Sequence, residues 1–169
     1  SAILPGVGFI SELRGFNFFG GVHRGFTPPS SGALKILNFG ENVSDGGLDL
    51  RAEKSWNKEI GIRGNVSFIQ FEYSGYHVAI EDLVAAGRGT AFKNLGKANT
   101  MGLETKTIFN FSDLNKLLPN LDVSYSFLKT EVVEGEIISN VAGSVGNQID
   151  ISGKELPYAP SHTLMAGLY

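Results

Sequence analysis

The sequence predicts an all-β protein, an antiparallel up-and-down meander of about seven strands forming part of a transmembrane β-barrel. Three observations predict it. Apolar and polar side chains alternate with a period of two in seven separate stretches. The connections between them run short, long, short, long, medium, long, as in a meander with its short turns gathered at one end. Finally, Glu59, Arg63, Glu72, Glu104, Lys106 and Asp122 all fall on one parity, and a small closed core cannot bury such charges cheaply. A wide, polar lumen can. A soluble up-and-down barrel, by contrast, keeps most connections near about 2–6 residues.

Each element follows from local pattern. The first strand is Val7 to Leu13, closed by the turn Arg14-Gly15-Phe16-Asn17. The second, Phe18 to Thr27, is stopped by Pro28-Pro29, because proline has no N–H to give a ladder. Within it Arg24 shares parity with Phe18, Val22 and Phe26, and Gly20, Gly21 and Gly25 predict a bulge that turns it away. A Gly/Ser/Asn/Asp-rich connection covers Ser30 to Asp49, with a turn signal at Asp45-Gly46.

The third strand, Trp56 to Asn65, sits inside LRAEKSWNKEIGIRG. Trp56, Lys58, Ile60 and Ile62 share one side; Asn57, Glu59, Gly61, Arg63 and Asn65 share the other. The fourth, Val66 to Val78, follows directly and opposes Ile69, Phe71 and Tyr73 to Gln70, Glu72 and Ser74. A second long loop is predicted over Glu81 to Lys97. Strand five, Thr100 to Phe111, opposes Met101, Leu103, Phe109 and Phe111 to Gly102, Glu104, Lys106 and Asn110. The connection Ser112 to Asn120 has room for one helical turn over Asp113 to Leu118. Strand six is Leu121 to Glu131, a third loop covers Val132 to Glu155, and strand seven runs from near His162 to Tyr169.

Composition narrows the function. The chain has 169 residues, 42% hydrophobic and 18% charged, yet no apolar run near the roughly 20 residues of a spanning helix. Strands need only about 10 alternating residues to cross, so the membrane reading stands. Cysteine is absent, which excludes disulfides, thiolate catalysis and Cys-based zinc sites. A net charge of -3 without a dense basic patch argues against nucleic acid as a partner. The chain opens SAILPGVGFISEL, without an initiator Met or a basic segment ahead of an apolar one, and is expected to be part of a longer polypeptide.

Four segments carry a family resemblance. Phe19-Gly20-Gly21-Val22-His23-Arg24-Gly25-Phe26-Thr27-Pro28-Pro29 is the first. The second is Leu50-x-x-Glu53-x-Ser55-x-Asn57-x-Glu59-x-Gly61. Asn94-x-Gly96-Lys97-Ala98 followed by Gly102-Leu103-Glu104 is the third, and Leu156-Pro157-Tyr158-Ala159-Pro160-x-His162 the fourth. In this order they resemble the TonB-dependent outer-membrane receptors, especially the ferric-citrate-receptor-like branch. The resemblance implies a 22-stranded barrel in the Gram-negative outer membrane, plugged by an N-terminal domain and energised by TonB, importing a ferric chelate. Residues 1–169 would be a partial barrel domain, with plug and TonB box outside this chain. A passive porin-type channel, and a soluble β-barrel or sandwich binding a small ligand, share much of the same alternation.

Candidate residues follow. Asn57, Glu59, Arg63, Glu72, Glu104 and Lys106 read as a lumen-facing polar wall rather than a ligand site. Arg51, Lys54, Arg88, Lys93 and Lys97 flank the first two long loops and are the candidates for gripping an anionic ferric chelate; solvated loop charge is the competing reading. Glu131, Glu134 and Glu136 read equally as candidates for divalent cations that bridge lipopolysaccharide, one of the expected partners along with outer-membrane lipid, or as acidic loop residues that bind nothing. Trp56, Tyr73, Tyr76, Tyr125, Tyr158 and Tyr169 read as an interfacial girdle. His23, His77 and His162 lack ligand spacing, and Glu72 with Glu104 has no accompanying nucleophile. No active site, metal site or cofactor is expected, and the protein is read as not an enzyme.

Overall fold

A computed structural model describes residues 3–28, 51–86, 92–138, 147–157 and 159–169. The connection Ser30 to Asp49, Arg88 and Tyr158 lie outside the described residues. The strands are β1 (Gly6–Leu13), β2 (Phe16–Thr27), β3 (Glu53–Val66), β4 (Ile69–Ala86), β5 (Phe92–Phe109), β6 (Leu121–Ile138), β7 (Gln148–Asp150) and β8 (His162–Leu168). Every pairing is antiparallel and follows chain order from β1 to β6. β7 and β8 share the far edge of β6. Between them Ile151 N donates to Gly135 O, Gly153 N to Val132 O, Val132 N to Lys154 O and Leu128 N to Ser161 O. Gly153 (φ 76°), Pro157 and Pro160 lie between β7 and β8; β8 is the seventh strand read from sequence, and β7 falls where the third loop was expected.

Among the described residues, nothing covers this sheet. Ala98 and Val132 are the buried hydrophobic residues among those described, while Ile10, Ile60 and Leu164 are 68%, 67% and 70% exposed. A water-soluble domain of this size packs a second layer over its apolar face. The described sheet has none.

Turn chemistry fixes the near end. Arg14 and Gly15 have φ of 52° and 84°, both left-handed, as a tight two-residue hairpin requires. Phe16 and Asn17, expected in that turn, therefore already belong to β2 and pair with Leu13 and Glu12. Ser67 and Phe68 make the next turn. Strand five ends at Phe109, two residues early, because Asn110 N bonds Phe68 O and Phe111–Asp113 coil into a short 3-10 turn. The helical turn expected over Asp113 to Leu118 thus falls two residues earlier, and the Leu118 N to Asn115 O bond closes a separate turn.

Two departures matter more. The segment Glu81 to Lys97, expected as a loop, is largely ladder, and the loop expected over Val132 to Glu155 begins in strand and is crossed by strand: β4 runs to Ala86, β5 starts at Phe92, β6 runs to Ile138 and β7 is Gln148–Asp150. Backbone bonds need no apolar alternation, and register shifts at Glu81/Leu83, Leu83/Val84 and Lys97/Ala98 hide the period of two. The second departure is β2, which has no bulge: all its pairs with β1 and β3 stay in register. Arg24 remains on the apolar parity. Its Nη2 bonds Glu81 Oε2 at 2.8 Å, and its guanidinium lies 5.2 Å from the Trp56 ring centre.

Candidate functional site

Register sorts the side chains into two faces. On the polar face one row across β2–β6 reads Asn17, Arg63, Glu72, Lys106, Ser124. Arg63 Nη1 stands 3.9 Å from Glu72 Oε2, and Lys106 Nζ 3.6 Å from Asp122 Oδ2. Charges therefore alternate along the row at its short-turn end. All these groups are at least a third exposed except Asp122, at 32%, so each pair contributes well under about 1 kcal/mol. Asp122 Oδ1 is buried without a hydrogen-bond partner among the described residues. Asn57, Glu59 and Glu104 share this face by register, opposite Val78, Tyr76 and Ser74.

Tyr76, expected in the girdle, also lies on the polar face, where its ring packs over Gly102. Three other aromatic rings lie over cross-strand glycines: Phe9 over Gly20, Phe16 over Gly64 and Phe19 over Gly61. Of these glycines the sequence marked Gly20 as a weak point in its strand, and Gly61 and Gly102 as part of the family-like segments.

The opposite face carries an aromatic band at the short-turn end. Phe16 and Phe71 have ring centres 6.0 Å apart, Phe71 and Tyr73 5.2 Å, and Phe109 and Phe111 5.8 Å. Tyr125 shares this face, bonded to His162 Nδ1 at 2.9 Å. Trp56 marks the other end; it and Gly64, the partner of Phe71, stand roughly 26 Å apart along β3 at about 3.3 Å per residue. Tyr169 closes the short-turn end, its backbone paired with Asn120 and its side chain 66% exposed.

Above Trp56, the motif LRAEKSWNKEIGIRG is tied to the β4–β5 hairpin. Asn94 is the centre of the knot: Oδ1 accepts from Arg51 N at 2.9 Å, and Nδ2 donates to Arg51 O at 2.9 Å and Asp82 O at 2.6 Å. Arg51 Nη2 meets Asp82 Oδ1 at 2.9 Å. Glu53 Oε1 accepts from Val84 N at 2.7 Å, filling a ladder position that the bulge at Asp82 (φ 58°) displaces. The third family-like segment thus clasps the second. Sequence spacing had shown both, but not that they touch.

The loop cations diverge in setting. Arg51 is engaged by Asp82, Lys97 Nζ lies 2.8 Å from Glu134 Oε2, and Lys54 is exposed on the Trp56 face. Lys93 falls in β5, while Arg88 lies outside the described residues. Glu131 and Glu136 are exposed on β6. The three histidines sit on β2, β4 and β8 and do not converge, and no metal-holding cluster occurs among the described residues.

An open, coreless antiparallel sheet with paired charges on one side and aromatic bands on the other is the wall of an outer-membrane β-barrel. The chain belongs to the TonB dependent receptor-like β-barrel family, whose model matches residues 1–169. It is 27% identical over 135 residues to the Vitamin B12 transporter BtuB of Vibrio vulnificus (strain YJ016), covering 67% of this chain and 22% of that one. Among solved structures its fold resembles the Copper transporter OprC, at 18% identity and a TM-score of 0.51, covering 95% of this chain and 30% of that one. The chain thus spans less than a third of the length of either relative.

Proposed function

We propose that this chain is part of the barrel wall of an outer-membrane receptor that imports a ferric chelate of the ferric-citrate or siderophore kind. The observation that supports it most is the two-sided sheet without a core: alternating charges opposite a face bounded by aromatic rings. In this reading Asn57, Glu59, Arg63, Glu72, Glu104 and Lys106 line a watery lumen, and the aromatic face meets lipid. Asp122, with its unpartnered oxygen beside that row, fits a wall that meets a plug domain. Transport is driven by TonB through such a plug, encoded outside these residues.

The ferric-chelate reading rests on the resemblance of the four segments together to the ferric-citrate-receptor-like branch, whereas the two named relatives carry vitamin B12 and copper in their names. Arg51, Lys54, Arg88, Lys93 and Lys97 flank the first two long connections in sequence, where an anionic chelate needs charged donors. The test is accumulation of radiolabelled iron by cells whose only such receptor is the full-length protein. Uptake of ferric citrate that stops when TonB is deleted is the expected result. Uptake indifferent to TonB, or confined to cobalamin or copper, overturns the ferric assignment.

A further inference from the structure

At the short-turn end, the connection from β5 to β6 is the longest among the described residues, and it is not built for water. Leu114, Leu117 and Leu118 are all exposed, Leu117 at 90%. One scattered leucine on a surface needs no explanation, but three in one short connection mark a contact surface.

These leucines are held on a fixed frame. Leu114 N donates to Phe111 O at 3.0 Å, Leu118 N to Asn115 O at 2.9 Å, and Leu117 N to Asn115 Oδ1 at 3.0 Å. Ser112 N donates to Asn120 Oδ1 at 3.0 Å and closes the base, where Asn120 also pairs with Tyr169. A connection ordered in advance loses little freedom when it meets a partner.

Phe111 sets the direction. Its ring stacks on Phe109, on the aromatic face, with centres 5.8 Å apart, and lies 5.7 Å from the Phe68 ring. The chain therefore enters the connection along the aromatic face. Residues three apart eclipse in a 3-10 turn, so Leu114 follows Phe111 on that side.

Register sets the depth. Phe109 pairs with Ile69, two residues past the Phe71 row, roughly 7 Å farther along the strand at about 3.3 Å per residue. The span from Trp56 to the Phe71 row already matches the apolar band of a barrel wall, about 25 Å tall. The connection thus starts at headgroup level, where apolar side chains gain by dipping about 5–10 Å into the acyl boundary.

We infer that the β5–β6 connection is a membrane anchor, with Leu114, Leu117 and Leu118 inserted among the acyl chains of the leaflet at the short-turn end. Continuity with the aromatic band of Phe68, Phe109 and Phe111 selects lipid over a protein partner. This rests on the reading that the aromatic face meets lipid.

The test uses the full-length receptor, one copy per lipid nanodisc, with a nitroxide spin label on Leu117→Cys. These 169 residues contribute no cysteine of their own to compete for the label. Two colliders are compared: molecular oxygen, which concentrates among acyl chains, and a water-soluble nickel chelate. Nickel collision is expected to fall about tenfold or more below that of free label, with oxygen collision retained. Adding Leu114→Asp and Leu118→Asp restores nickel collision, because carboxylates resist transfer to acyl surroundings. High nickel collision at Leu117 in the otherwise unsubstituted protein overturns the anchor, since the turn then lies in water. Low collision with both reagents overturns it as well, since the turn is then packed against protein. Protection that survives the two aspartates does the same. A label on Leu103→Cys separates the two levels: nickel collision there defeats the face assignment. Oxygen collision at Leu103 together with nickel collision at Leu117 defeats the anchor alone.

Discussion

Glu53 illustrates how one side chain substitutes for a missing strand neighbour. Where the Asp82 bulge displaces the ladder, its carboxylate takes the Val84 N–H. A charge-assisted bond of this kind is worth more than a neutral one. Glu53→Ala is expected to speed exchange of the Val84 amide by about tenfold or more while leaving β6 amides unchanged, measured by hydrogen exchange on lipid-reconstituted protein. Glu53→Gln, which keeps an acceptor, restores most of the protection. At Asp150 the same chemistry acts on a titrating group. The Ser152 hydroxyl, then the Ser152 N–H, bond its carboxylate and hold its pKa below the ordinary aspartate range. A lowered acid pKa stabilises the fold above the ordinary value and loses that contribution as pH falls through the lowered one. Protease nicking near 150–153 should therefore rise only in acid, below the ordinary aspartate range, and Asp150→Asn should abolish that pH dependence.

Strands show where sequence reading succeeds and where it stops. The alternation of Ile60/Arg63, Phe71/Glu72 and Leu103/Glu104 was legible because the two faces meet different surroundings. Beyond the Trp56 row, Lys97, Glu131 and Glu134 put polar groups on the ladder and the period loses its meaning, so ordered strand reads as loop. Arg24 misled for a related reason: parity predicted its face correctly, but a remote glutamate and an indole make that face tolerable without a bulge. The candidate wall was legible as a row; the clasp of Asn94 on Arg51 was not, since residues 43 apart carry no local signal. At the strand extensions, Gly96 (φ 131°) holds a backbone no side chain fits, and a Cβ there would strike Glu134 O. Gly96→Ala is expected to cost about 1–3 kcal/mol in denaturant unfolding of the reconstituted protein, mostly by loosening the β5–β6 extension.

At the scale of the whole, the described sheet is a surface without an interior. Soluble proteins hide apolar side chains behind a second layer; here Phe9, Ile60, Leu103 and Leu164 rely on the medium. Expressed by themselves, residues 1–169 should sediment as aggregate without detergent and stay in solution with it. A monodisperse, detergent-free monomer by sedimentation velocity would contradict the membrane reading. β1 and the β7–β8 edge each carry one unpaired side in the described sheet, the condition in which a strand recruits another. Substituting a proline within β1 should hinder that recruitment more than one in the Arg14-Gly15 turn.

Nearest-neighbour pairing has a kinetic meaning as well. Since strands pair in chain order, the hairpins at Arg14-Gly15 and Ser67-Phe68 close the shortest loops and can form before the others. Assembly can then proceed like a zipper, each finished strand serving as template for the next. The weakness of such a zipper is memory: a slip of one residue at β2 on β3 would carry through every later strand, turning Arg63 and Glu72 outward and Ile60 inward. The rings seated over Gly20, Gly61, Gly64 and Gly102 interlock as teeth against that slip, so the glycines that soften these strands also keep their count.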